Sequence, residues 1–133
     1  MNDVSQTLAV QSYCFRGFKE NAQVIDLVRK IGLNRIELCG VHADFNDDKT
    51  FDKVIAQYAD GGVKIVSIGV QGFANQPGKE RKWFEFAKRA GAKMISCSYD
   101  LKSMPDCLLQ VTDGPGKARL IEPGLTVAPV EIA

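Results

Sequence analysis

Two hydrophobic spacings take turns along the chain. Val24, Leu27, Val28 and Ile31 fall at i, i+3, i+4 and i+7 and predict a helix over roughly Glu20–Ile31 that buries one stripe. Phe51, Val54, Ile55 and Tyr58 repeat that spacing and predict a second helix over Phe51–Ala59, capped by Thr50 or Asp48. A third is predicted over Gly78–Ala90. It turns Trp83, Phe84, Ala87 and Ala90 inward and Lys79, Lys82, Lys88 and Arg89 to water, with Phe86 pointing outward. Between these stretches lie short apolar runs that read as strands: Leu8–Phe15, Arg35–Cys39, Lys64–Val70 and Lys93–Ser98. The third run is nearly continuous in Val and Ile, the pattern of a strand covered on both faces.

The junctions repeat as well. Gly32-Leu33-Asn34-Arg35-Ile36-Glu37-Leu38, Gly62-Val63-Lys64-Ile65-Val66-Ser67-Ile68 and Gly91-Ala92-Lys93-Met94-Ile95-Ser96-Cys97 each pass from a helix-ending glycine straight into a strand. Repeated helix-to-strand units imply a parallel sheet, whose chemistry sits beyond the carboxyl ends of its strands. Past Pro105 the signal falls away. Asp106–Thr112 starts a helical pattern that Gly114-Pro115-Gly116 breaks, and residues 124–130 echo the strand phrase once more. Pro129 restricts that phrase to an edge strand or none. Four strands and three helices occupy about 100 residues, whereas a complete eight-fold βα barrel takes about 250. The expected fold is therefore α/β, either half a barrel with strands in order 1-2-3-4 or a small flavodoxin-like sheet in order 2-1-3-4.

Composition narrows the partners. The 133 residues carry 17 Lys and Arg against 16 Asp and Glu, with no basic run, so neither nucleic acid nor an anionic membrane is an expected partner. No apolar run approaches the ~20 residues of a membrane span. The start, Met1 to Gln6, has no basic-then-apolar leader pattern, and a cytoplasmic location with four reduced thiols is expected. Cys14, Cys39, Cys97 and Cys107 lack CxxC spacing. Gly114-Pro115-Gly116-Lys117 fails as a phosphate loop, because Val111 stands where its first glycine belongs and Ala118 replaces the hydroxyl residue.

The ordered text at the strand ends resembles a family. Gln11-Ser12-Tyr13-Cys14-Phe15-Arg16, then Ile36-Glu37-Leu38 followed by His42, then Gly69-Val70-Gln71-Gly72-Phe73, Lys79-Glu80-Arg81-Lys82 and Phe84 to Lys93 are similar to the first four units of the sugar phosphate isomerase/epimerase family. That family belongs to the xylose-isomerase-like TIM barrels. The resemblance implies a (β/α)8 scaffold and isomerisation or epimerisation beside a carbonyl of a sugar, sugar phosphate or inositol-derived ketone. It also implies a divalent metal (Mn, Mg, Co or Zn) in the intact relative. A cation stabilises the enolate and a carboxylate moves the proton. The family's two Glu, one Asp and one His ligands lie mostly on strands five to eight, which this sequence lacks. No metal is therefore expected on this chain, which alone is expected to be inactive. On this reading residues 1–107 are the N-terminal half of a barrel, and 108–133 are a degenerate tail left by truncation or a change of frame.

The resemblance makes Arg16, Glu37, His42, Gln71 and Asn75 the candidate substrate-binding residues, orienting a small polyhydroxylated carbonyl compound; the residues performing catalysis are not identifiable. Each has a plainer alternative. Glu37, ionised inside an apolar strand, needs a pocket or a salt bridge to Arg16 or Arg35. Arg16 either forks onto a phosphate or carboxylate or is a solvated loop arginine. His42 is a ligand or a loop histidine, and Gln71 and Asn75 bind hydroxyls or serve turns. Cys14, Cys39 and Cys97 read as small buried residues of the sheet rather than a soft metal site. A non-catalytic half-barrel that self-associates through two open sheet edges is the competing expectation.

Overall fold

The computed structural model describes residues 7–99 and 128–131. Expectations falling on Cys107, the 106–112 helix, the Gly114–Lys117 segment and residues 124–127 lie outside the described residues.

Strands β1 (Val10–Gln11), β2 (Arg35–Leu38), β3 (Lys64–Phe73) and β4 (Met94–Tyr99) alternate with helices α1 (Asn21–Lys30), α2 (Phe51–Asp60) and α3 (Pro77–Ala90). The strands lie parallel in chain order. The architecture is a partial (β/α)4 TIM-barrel-like fold, and the crossed flavodoxin order is excluded. A fifth strand, β5 (Ala128–Glu131), lies antiparallel against β4 and ends the sheet, where an edge strand tolerates Pro129. β5 takes the outer edge of β4, so the two edge strands of the sheet are β1 and β5. Among the described residues no helix is long and apolar enough to cross a membrane.

The helices pack on one face of the sheet. Val24 and Val28 of α1, Phe51 and Tyr58 of α2, Ile36 and Leu38 of β2, and Ile68 and Ile95 are fully buried together. Gly32 and Gly91 end α1 and α3 with φ of 79° and 69°, a left-handed turn that side-chain-bearing residues resist.

Several local expectations need correction. The first strand is two residues long rather than eight. After Gln11 the Ser12 hydroxyl accepts the Cys39 N–H at 2.8 Å, and the chain winds into a 3-10 turn over Ser12–Phe15. Ile31 is 55% exposed because α1 stops one residue before it, and Ile25 is buried instead. Neither Thr50 nor Asp48 caps α2 through its side chain. Asp47 accepts from the Lys49 N–H and starts a 3-10 turn that runs into the helix. Phe86 points inward. It is fully buried, with edge-to-face contacts to Phe45 at 4.9 Å and Phe51 at 5.0 Å, while Phe84 is only partly buried. Glu80, counted among a charged stretch, is 2% exposed. Its Oε1 accepts from the Ala74 and Gln76 N–H groups at 2.8 and 2.9 Å, satisfying donors at the start of α3.

Candidate functional site

Successive strand side chains point to opposite faces of a sheet. Ile36 and Leu38 face the helices, so Glu37 between them faces the other way, onto the sheet's inner face. Ser96 stands likewise between the buried Ile95 and Cys97. The register sets Glu37 beside Gln11 on β1 and Ser67 on β3. A one-residue shift after Ile36 produces the second pairing. Val66 is passed over and Ser67, not Val66, meets Glu37.

The result is a polar cluster drawn from four neighbouring strands. Gln11 Nε2 donates to Glu37 Oε1 at 2.6 Å, Ser67 Oγ donates to Oε2 at 2.7 Å, and Ser96 Oγ donates to the same Oε2. These are charge-assisted bonds, roughly twice as strong as neutral ones. A carboxylate offers about four acceptor sites. Three donors leave room for one more at Oε1, enough to take a hydroxyl of a bound molecule. The donors are neutral, so the half-buried Glu37 is not held by a salt bridge to Arg16.

The other candidates are not gathered into this cluster. Arg16 is exposed on the turn after β1. Its guanidinium lies over the Tyr13 ring at 4.9 Å and donates to the Tyr13 carbonyl at 3.3 Å, and among the described residues no carboxylate pairs with it. His42 is 6% exposed. Its Nε2 donates to the Phe18 carbonyl at 2.8 Å, which assigns the proton to that nitrogen because a carbonyl can only accept. The His42 carbonyl accepts from Asn21, whose Oδ1 in turn accepts from the Tyr58 hydroxyl at 3.0 Å. His42 thus ties the loop after β2 to the loop after β1. Gln71 is buried opposite Cys97, on the face that carries Phe73, away from Glu37. Asn75 is exposed in the turn between β3 and α3 with φ of 56°, a conformation Asn tolerates. Tyr99 stacks on Phe73 at 5.6 Å.

Cys39 and Cys97 are buried and Cys14 is exposed. Burial pushes the Cys39 thiol up from its ordinary value, and contact with the Ser12 side chain and Tyr13 backbone only partly offsets this. Among the described residues no three His, Cys, Asp or Glu side chains are grouped to hold a metal ion. A cavity of about 340 Å³ opens by Asn34, Arg35, Tyr58 and Lys64, at the amino ends of the strands. None of the candidate residues lines it, and in barrels of this kind that end serves stability rather than chemistry.

Gln11, Ser67 and Ser96 were missed as site residues, although the sequence held a signal. Counted from the glycine of each repeated phrase, Glu37, Ser67 and Ser96 all occupy the sixth place. A polar residue set between two apolar ones, recurring at the same place in each phrase, marks a layer of the inner face.

No protein-family model matches the chain, and no curated protein matches it. Among solved structures it is similar to an uncharacterized protein from Parabacteroides distasonis ATCC 8503. The TM-score is 0.64 and the identity 15%, over 82% of this chain and 50% of that one. The chain therefore spans about half the length of that protein, and at this identity the likeness is one of fold.

Proposed function

We propose that these four units are the first half of an isomerase/epimerase-type barrel. Their inner face binds and orients a small polyhydroxylated carbonyl compound: a sugar, a sugar phosphate or an inositol-derived ketone. The observation carrying this reading is the Glu37 carboxylate, fixed by Gln11, Ser67 and Ser96 with one acceptor position to spare. A carboxylate so held acts as a rigid acceptor for a substrate hydroxyl. Arg16 and Asn75 stand at the carboxyl ends of β1 and β3 as rim contacts, while His42 and Gln71 support the loops and strand that frame the site. The divalent metal of the resembled family does not fit the described residues, so no step through a metal is assigned to this chain.

The test is titration with a panel of ketoses, sugar phosphates and inososes, followed by NMR, with turnover assayed in Mn²⁺. Saturable shifts at Gln11, Glu37 and Ser67 are expected, with little or no turnover. Glu37→Ala should weaken binding by about tenfold or more, the worth of one hydrogen bond to a charged group. No saturable shift anywhere in the panel refutes binding. Robust epimerisation by the isolated chain refutes the placement of proton transfer elsewhere.

A second reading, self-association, draws on the uncovered β1 edge with Leu8, Tyr13 and Phe18 exposed around it. A single monomeric species in size-exclusion chromatography across a range of concentrations would refute it.

A further inference from the structure

The loop from β3 to α3 hangs on one buried side chain. Residues 74–79 are all exposed, and Glu80, which follows them, is 2% exposed. Phe73 and Trp83 tie the two ends of the loop together, their rings meeting edge to face at 5.2 Å. The middle is held by Glu80 Oε1, which accepts from the Ala74 and Gln76 N–H groups at 2.8 and 2.9 Å. Those two bonds flank Asn75, whose φ of 56° is left-handed. Gln76, where α3 begins, offers no side-chain cap of its own. The arrangement carries two costs. A left-handed residue other than glycine persists only where its surroundings fix it, and such residues gather at ligand sites. Glu80 Oε2 is buried without a hydrogen-bond partner among the described residues, although a buried carboxylate oxygen calls for one. Both costs fall in one loop, beyond the carboxyl end of β3, where barrels of this kind place their chemistry.

We infer that Glu80 is a positioning residue of the site proposed above. Its carboxylate fixes Ala74 and Gln76 and thereby holds Asn75 left-handed at the rim, where the Asn75 amide meets a hydroxyl of the bound polyhydroxylated compound. The inference rests on that binding reading. Glu80 does not touch the ligand; it acts through the backbone. Two bonds to one oxygen restrain the peptide units on both sides of Asn75, so the loop is ordered before the ligand arrives and less entropy is lost on binding. Because one oxygen takes both bonds, Glu80→Gln retains the acceptor through its amide oxygen. Glu80→Asp keeps the charge but draws the oxygen back by one methylene, out of reach of both N–H groups.

The experiment compares the isotope-labelled full chain with Glu80→Ala, Glu80→Asp and Glu80→Gln by NMR. It reads the backbone couplings of Asn75, which report φ, amide exchange at Ala74 and Gln76, and the shifts caused by ketoses, sugar phosphates and inososes. In Glu80→Ala and Glu80→Asp the left-handed couplings of Asn75 should be lost, and exchange at Ala74 and Gln76 should rise about tenfold or more, the worth of one hydrogen bond to a charged group. A compound that shifts Glu37 in the parent should bind these variants several-fold more weakly and cease to shift Asn75, while Gln11, Glu37 and Ser67 still respond. Glu80→Gln should restore the couplings and the Asn75 shift. Unchanged couplings in Glu80→Ala and Glu80→Asp would overturn the inference, as would a Glu80→Gln chain that restores nothing. A compound that shifts Asn75 as strongly in Glu80→Ala as in the parent sinks this inference alone, whereas silence of the parent across the whole panel sinks the binding reading and this inference with it.

Discussion

Removing the Glu37 carboxylate tests the polar cluster most directly. Glu37→Ala leaves Gln11, Ser67 and Ser96 without their acceptor. Ser67 is 3% exposed and cannot turn to water, and its remaining approach to the Ile68 carbonyl is a long 3.5 Å. An orphaned buried donor costs about 1–3 kcal/mol, and each lost hydrogen bond to a charge about 1.5–3 kcal/mol. The half-buried Gln11 and Ser96 recover part of this from water, and the desolvation penalty of the carboxylate disappears. The net loss should be about 2–3 kcal/mol. Glu37→Gln should lose only about 1 kcal/mol, because its amide oxygen keeps the serine bonds and Gln11 can rotate its own amide to accept from the new NH₂. Urea denaturation measures both. A double-mutant cycle sharpens the test, since Ser67→Ala should cost about 1 kcal/mol in the parent chain and close to nothing beside Glu37→Ala. If Glu37→Ala is as stable as the parent, or if the two changes add, the carboxylate is not held as described.

The remaining predictions concern the scaffold. Phe86→Ala should destabilise by about 3–5 kcal/mol and the partly buried Phe84→Ala by clearly less, read by thermal or urea unfolding; equal losses would refute the orientation of α3. At Gly69, φ is +154° and an added Cβ would lie 2.6 Å from both the Cβ and the carbonyl oxygen of Ser96. Gly69→Ala should therefore cost about 3 kcal/mol by strain and by forcing β3 from β4, and NMR shifts at Ser96 and Glu37 should report that displacement. The Lys82 hydrogen bond holds the Asp48 carboxyl below its ordinary value. The pair's contribution is thus present above the ordinary aspartate range and is lost as pH falls through the lowered value. In Lys82→Ala, carbon-detected titration should show Asp48 moving up to the ordinary range, and an unmoved Asp48 would refute the assignment.

Much of the fold was legible in the chain because it is a matter of local repetition. The stripe Phe51, Val54, Tyr58 is a property of ten consecutive residues, and the glycine at each helix end acts through its own φ; both survive translation to three dimensions. Phe86 was misjudged because the Trp83–Ala90 stripe has an aromatic on each side. The choice between Phe86 and Phe84 is made by Phe45 and Phe51, which arrive from the loop before α2 and from α2 itself. Glu80 looked like one charge among four, and only the path of residues 74–76 brought two backbone N–H groups to its carboxylate.

The candidate site divides along the same line. That Glu37 must find partners follows from an ionisable group set in an apolar strand, which is a statement about sequence. That those partners are Gln11, Ser67 and Ser96 follows from register, and register here turns on a one-residue shift between β2 and β3. A slip of one residue sends a side chain to the opposite face, so no reading of a single strand can foresee it. The second shift, between Ile68 and Gln71, aligns Gln71 with Cys97 on the helix side although its place in the sequence suggests the pocket. Spacing along the chain determined which elements form and in what order; the pairing of strands decided which side chains share a face.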